Sequence, residues 1–204
     1  MKTKVLNSHQ LGEAANFLLS GEIVAFPTET VFGLGVVYDN EDSFKKLIEV
    51  KHRPANKLFT LMVADLEDIA KYAVVTPLIQ KVIDNFMVGP LTIILPAKED
   101  VPHYVKGDNN EIGIRISSLA FVRKLIRETG KPLLVPSANK TGEPPALNDK
   151  QALKIFNGEI AAVIEGQSRS HIPSTVVRIN DKITLIRQGA ISLEEILEKV
   201  EEEQ

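Results

Sequence analysis

The stretch from Gly21 to Pro54, GEIVAFPTETVFGLGVVYDNEDSFKKLIEVKHRP, decides the fold class. Glu22 to Phe26 is a short β-prone run that Pro27 stops. Phe44, Leu47, Ile48 and Lys51 recur at helical spacing, which predicts a helix capped near Asp39 or Asn40 and ended before Pro54. The residues between, Pro27 to Gly35, read as a loop at the end of a strand. Strand, loop and helix in succession open an α/β domain.

Working outward, Leu11, Ala14, Ala15, Leu18 and Leu19 predict a helix over 8–20, with Gly21 as its C-cap. Downstream the same alternation continues. Strands are predicted over 59–63, 91–95, 112–117, 132–135 and 161–165, and helices over 65–72, 76–86 and 118–128. Two final strands, 174–179 and 183–187, flank Asn180-Asp181, a hairpin signal, so antiparallel pairs mix with crossovers. Ser192 and Glu195 form a capping box that opens a last amphipathic helix. Neither a repeat nor a dividing linker is present, so residues 1–204 are expected to form a single domain ending in an acidic helix over 191–204.

Composition narrows the chemistry. With 44% apolar and 25% charged residues the chain has the balance of a folded globular protein. It contains no cysteine, which removes disulfides, thiolate metal sites and cysteine nucleophiles. Lys2 and Lys4 lead into polar Asn7 to Gln10 instead of a signal h-region, and no apolar run approaches the roughly 18 residues of a membrane span. A soluble, cytoplasmic protein with no membrane partner is predicted. The segment 193–204 carries −5 of a total charge of −3, leaving the other 192 residues at +2. Within that mildly basic body Lys45, Lys46, Lys51, Arg53 and Lys57 cluster against Glu49 alone.

Lys51, His52 and Arg53 at a helix end could simply offset the macrodipole, at about 0.3–1 kcal/mol each. That does not account for Lys57 beyond Pro54, and three cations around a proline turn suit the oxygens of a polyphosphate. The threonines of Pro27 to Gly35 have two readings as well: they satisfy local backbone groups, or they grip a small polar ligand at a strand end. Other sites fail on spacing. Gly33-Leu34-Gly35 lacks the third glycine of a dinucleotide loop, and the four histidines stand far apart, so no protein-held metal is expected. The Ser137-Ala138-Asn139-Lys140 and Lys140-Thr141-Gly142 matches to penicillin-recognising enzymes share one lysine, which cannot serve both roles.

Four ordered motifs carry a resemblance: Pro27 to Gly35; Lys51-His52-Arg53-Pro54 with Lys57; Pro136-Ser137-Ala138-Asn139 with Thr141-Gly142; and Ser174-Thr175-Val176-Val177. In order and spacing they resemble the YrdC-like family of threonylcarbamoyl-AMP synthases, over about residues 10–190. The resemblance implies a twisted mixed α/β sheet flanked by helices, with a concave basic cavity. Some members carry a further C-terminal domain, which is not expected in this chain.

The implied reaction turns L-threonine, bicarbonate and ATP into threonylcarbamoyl-AMP and pyrophosphate, with Mg2+ held by the ATP phosphates. The product supplies threonylcarbamoyl modification of the tRNA adenosine next to the anticodon, through downstream transfer proteins and with tRNA or RNA as a further partner. By motif position Lys51 and Arg53 are the catalytic pair. Thr30, Arg115, Ser137 and Ser174 would hold threonine, and Arg53, Lys57, Asn139 and Arg187 would hold ATP. For Arg115 a partly buried salt bridge is the competing role. Three positions depart from the family pattern: Arg178 stands where Asp is frequent, Phe32 where Tyr is common, and Arg187-Gln188-Gly189 replaces Arg-Pro-Gly. The alternative of another class is an RNA-binding or ribosome-associated module using the same basic cavity. The acidic tail and a 5% aromatic content argue against a broad stacking surface.

Overall fold

The structure, a computed structural model, describes residues 2–54 and 58–202. In chain order the elements are β1 (Lys4–Leu6), α1 (Leu11–Leu19), β2 (Val24–Phe26), β3 (Gly33–Val37), α2 (Glu41–Lys51) and β4 (Thr60–Met62). A short 3-10 turn, Leu66–Asp68, runs into α3 (Ile69–Tyr72), followed by α4 (Pro77–Phe86), β5 (Leu91–Pro96), β6 (Glu111–Arg115) and α5 (Ala120–Thr129). The remainder is β7 (Leu133–Leu134), α6 (Asp149–Phe156), β8 (Ala162–Ile164), β9 (Thr175–Ile179), β10 (Ile183–Arg187) and α7 (Leu193–Glu201). Ten strands join in one mixed sheet, in the order β1-β8-β2-β3-β7-β4-β6-β5-β9-β10.

Local rules set the helix ends. Asn40, Thr76, Asn148 and Ser192 each accept the backbone N–H three residues on, so α2, α4, α6 and α7 begin at polar caps. At the other end of α2, His52 adopts a left-handed φ of 50°, and the N–H groups of His52 and Arg53 close on the carbonyls of Glu49 and Ile48. That turn sends the chain back toward the sheet.

Three elements differ from the sequence expectation. The segment after Pro27 is a loop followed by a strand, β3, which pairs antiparallel with β2 through Val24↔Gly35 and Phe26↔Gly33. Its glycines hide the strand signal and are required by packing: a Cβ on Gly33 would lie 2.5 Å from Val135 Cγ1, and one on Gly35 2.6 Å from Phe26 Cε1. The edge strand β1 is too short and too exposed to show alternation, and it is held by parallel pairing to β8. α6 follows the Gly- and Pro-rich loop, where only Ala152 and Phe156 mark its buried side.

Apolar residues cover both faces of the sheet unequally. One face packs Ile93, Ile112, Ile114 and Val177 against the larger core with Phe44, Leu47, Val82 and Ile196. On the other, α1 and α5 seal the β8-β2-β3-β7 half with Leu11, Ala14, Leu18, Leu125 and Ile126. Over β4, β6, β5 and β9 that second face carries Thr60, Gly113, Arg115, Thr92, Ile94, Val176 and Arg178, which line a cavity.

Candidate active site

The cavity encloses about 510 Å³. Its floor is the period-two face of four neighbouring strands, and its walls are the loops after β2, α2 and β7 and the segment before β9. Thr30 and Val31 come from the first loop, Arg53 and Leu58 from the second, Pro136, Ser137 and Pro145 from the third, and Pro173 and Ser174 from the fourth. The first and third loops are laced together. Phe32 N–H donates to Ala146 O, Ala138 N–H to Phe32 O, and Leu34 N–H to Pro136 O. Thr30 and Ser137, over a hundred residues apart in sequence, therefore share one cavity.

The two threonines of the first loop are placed differently. Thr28 Oγ1 donates to Val31 O at 2.6 Å and accepts from Thr30 N–H at 3.2 Å, which fixes the turn. Thr30 Oγ1 instead accepts from Arg115 Nη2 at 2.9 Å and lines the cavity. Arg115 is anchored in three directions: Nε donates to Gly89 O, and Nη2 also meets Glu29 Oε1 at 2.6 Å. Ser117 Oγ donates to the other carboxylate oxygen of Glu29. The side chains of Arg115 and Glu29 are 7% and 8% exposed, so the expected salt bridge is present as a buried ion pair, and Arg115 also lines the cavity. Burial by itself would raise the Glu29 carboxyl. The Arg115 charge and the Ser117 and Arg115 hydrogen bonds outweigh it and hold the group below the ordinary carboxylate range.

Ser174 stands beside this end. It shares a hydrogen bond with Thr92 Oγ1 at 2.9 Å, and Arg187 Nη2 donates to Ser174 O at 2.9 Å and to Ser174 Oγ at 3.1 Å. Arg187 thus lines the cavity while clamping Ser174. Thr175 locks the neighbouring strap: its Oγ1 donates to Ile191 O and accepts from the N–H groups of Gly189 and Ile191. A Cβ on Gly189 would fall 2.2 Å from Thr175 N, so the replacement of Arg-Pro-Gly keeps the one residue that the crossing needs.

Lys51 and Asn139 lie behind the wall. Lys51 is almost wholly buried, and its Nζ donates to Ser137 O, to Asn139 O at 2.7 Å and to Asn139 Oδ1 at 3.2 Å. Asn139 Oδ1 also accepts from Ser137 Oγ, and Asn139 Nδ2 donates to Lys140 O and Glu143 O. Every donor of these two side chains is engaged, so in this arrangement they shape the Ser137–Asn139 loop. Burial, then the nearby Arg53 and Lys140 charges, pulls the Lys51 ammonium down to about 7. Lys57 lies outside the described residues.

Arg53 does face the cavity. Its Nη2 donates to Leu58 O at 2.9 Å, its Cζ lies 4.7 Å from the Phe59 ring centroid, and its buried Nε has no hydrogen-bond partner among the described residues. Burial, then the Arg187 charge, lowers the pKa of Arg53; burial, then Arg115, lowers that of Arg187. Four arginines, Arg53, Arg115, Arg178 and Arg187, line the cavity, and among the described residues no carboxylate does. A smaller hollow of about 290 Å³ near Tyr72 differs in this respect: Asp68 and Asp65 line it, paired with Lys71 and Arg127. No cluster of three or more His, Cys, Asp or Glu suited to a metal occurs among the described residues.

Sequence reading passed over Glu29, Ser117 and Thr92. Glu29 carried a signal, a charge inside an otherwise apolar and hydroxyl-bearing motif. For Thr92 the signal was its place on a predicted strand beside Ile94.

A family model described as "Telomere recombination", which groups Sua5, YciO and YrdC, matches residues 16–189. The chain belongs to the Sua5/YrdC family. Among its relatives, a threonylcarbamoyl-AMP synthase of Vibrio campbellii is 33% identical over 175 residues, 84% of this chain and 95% of that protein. A threonylcarbamoyl-AMP synthase of Pyrococcus abyssi is 35% identical over 190 residues, 92% of this chain and 56% of that protein. The crystal structure of P. abyssi Sua5 complexed with L-threonine superposes with a TM-score of 0.91 at 32% identity, covering 97% of this chain and 61% of that one. The present chain therefore spans nearly the whole of the Vibrio relative and little more than half of the Pyrococcus one. No helix of the described residues is long and apolar enough to cross a membrane.

Proposed function

We propose that this Sua5/YrdC protein, acting in the cytoplasm as one domain, condenses L-threonine, bicarbonate and ATP into threonylcarbamoyl-AMP and pyrophosphate for tRNA modification. The observation that carries the reading is the asymmetry of one cavity. One end gathers Thr30, Thr92, Ser174 and Arg115, with Arg187 bonded to Ser174, while the rest holds Arg53 and Arg178 with no carboxylate among the described lining residues. The first suits an α-amino acid; the second suits a polyanion.

Arg115 Nη1 has no hydrogen-bond partner among the described residues and would take the threonine carboxylate, with Glu29 and Thr30 holding the guanidinium in register. Ser174 and Ser137 would orient the rest of the amino acid. Threonine's amine and bicarbonate give a carbamate and water, and a carbamate oxygen then attacks the α-phosphorus as pyrophosphate leaves. No enzyme nucleophile is required, so the protein's task is to align two anions and stabilise charge moving onto the leaving group. Arg53 is suited to that task, since its guanidinium lines the cavity and, among the described residues, only its Nη2 is engaged, by Leu58 O. Arg187 would contribute at the nucleotide, and Lys51 and Asn139 would keep the Ser137 loop in shape. Magnesium would ride on the phosphates: Glu29 is held by Arg115, and Glu111 by Arg178. Downstream transfer proteins would then deliver the product to tRNA.

The test is pyrophosphate release by purified protein with threonine, bicarbonate, ATP and magnesium. Release is expected only when all four are present. Equal release without any amino acid would refute the synthase reading.

A further inference from the structure

We infer that Arg178 is a phosphate-binding residue of this cavity, closing the polyphosphate end opposite Arg53; the assignment rests on reading the cavity as one that uses ATP. The register across the floor places it. Thr60 of β4 pairs with Gly113 of β6, Gly113 with Ile94 of β5, and Ile94 with Arg178 of β9. These four residues form one row across the sheet, and Arg178 is its only charged member. Three strand spacings of about 4.8 Å separate the row's ends by about 14 Å. Arg53 overhangs the Thr60 end through its contacts with Leu58 and Phe59. Gly113, between the two ends, adds no side chain to the floor. Arg115 lies two residues along β6, in the next row, so the amino-acid end and the Arg53–Arg178 row are adjacent and distinct.

The way Arg178 is held supports the same role. Glu111, buried at the start of β6, engages only its Nε edge, at 2.9 and 3.1 Å. The two Nη groups have no hydrogen-bond partner among the described residues, and the side chain is 34% exposed and lines the cavity. A guanidinium fixed along one edge and open along the other offers an anion its paired donors already oriented. The period-two alternation Ser174, Val176, Arg178 explains why this residue shares a face with Ser174.

Calorimetric titration of the full chain with magnesium pyrophosphate, and separately with L-threonine, tests the assignment in wild type, Arg178→Gln and Arg178→Lys. Arg178→Gln is expected to bind pyrophosphate about tenfold or more weakly, the loss of one charge-assisted contact, with threonine affinity kept within about twofold. Arg178→Lys keeps a cation beside Glu111 and loses the open fork, so it should melt like wild type and still bind pyrophosphate more weakly. If Arg178→Gln does not fold, Arg178→Lys decides. Wild-type pyrophosphate affinity in a folded variant overturns the assignment, as does a threonine affinity that falls as far as the pyrophosphate affinity. Turnover of the wild type is measured alongside. A wild type that binds pyrophosphate but forms no threonylcarbamoyl-AMP strikes the synthase reading alone, because the Arg178 comparison is made on binding.

Discussion

Replacing Glu29 by Gln separates the charge of the buried pair from its shape. The amide keeps the size of the side chain and one acceptor oxygen, so Arg115 can still donate to it, but the guanidinium is left in a buried site without its counter-charge. Removing one partner of a buried ion pair costs about 3–5 kcal/mol, and the retained acceptor puts Glu29→Gln near the lower figure. For a chain of this size each kcal/mol lowers the melting temperature by about 2–4 °C, so the expected drop at pH 7 is about 6–12 °C. The pH dependence gives an independent check. Because the folded-state pKa of Glu29 is depressed, its stabilisation is complete above the ordinary carboxylate range, about pH 4–5, and is lost as pH falls through the folded value. The gap between wild type and Glu29→Gln should therefore narrow in acid. Thermal melts by circular dichroism at pH 7 and below pH 4 measure both effects. A variant that melts within about 2 °C of wild type at pH 7, or a gap that persists unchanged in acid, would refute the reasoning.

Three further outcomes follow from the same geometry. Arg53→Lys should melt like wild type yet lose about tenfold or more of ATP turnover, since it keeps the charge and loses the fork; unchanged turnover would return Arg53 to a helix-end role. Lys51 is neutralised near pH 7 when folded but near 10.4 when unfolded, so wild-type stability should rise with pH between those values. Urea midpoints of Lys51→Met should lack that rise, and parallel profiles for the two proteins would count against it. Gly189→Ala places a methyl against the Thr175 and Pro173 backbone and should destabilise by about 3 kcal/mol while weakening threonine binding through Ser174; a wild-type urea midpoint would show that the strap yields freely.

The sequence by itself determined much that is local or strongly periodic. The caps at Asn40 and Ser192, the stripe of α1, the extents of α4 and α5 and the hairpin at Asn180-Asp181 follow from side-chain hydrogen bonding and period alone, and the structure has them at or within three residues of the expected positions. Thr30, Arg53, Ser137 and Ser174 stand in the four ordered motifs, and the structure brings them, with Arg115 and Arg187 from outside those motifs, to the lining of one cavity. What only the tertiary structure decided is which donors are still open. Lys51 and Arg53 are two residues apart on one helix end, and the sequence treats them alike. The left-handed turn at His52 sends Arg53 into the cavity, where Leu58 O engages its Nη2 alone among the described residues, while Lys51 is consumed by three oxygens of a loop almost ninety residues away. Glu29 and Arg178 are likewise ordinary charges in the sequence. Their roles appear only when strands distant in the chain set Arg115 against Glu29 and leave one edge of Arg178 without a partner. The physical reason is that burial and hydrogen-bond saturation are properties of the packed neighbourhood, and long-range pairing assembles that neighbourhood from segments whose local sequence does not encode one another.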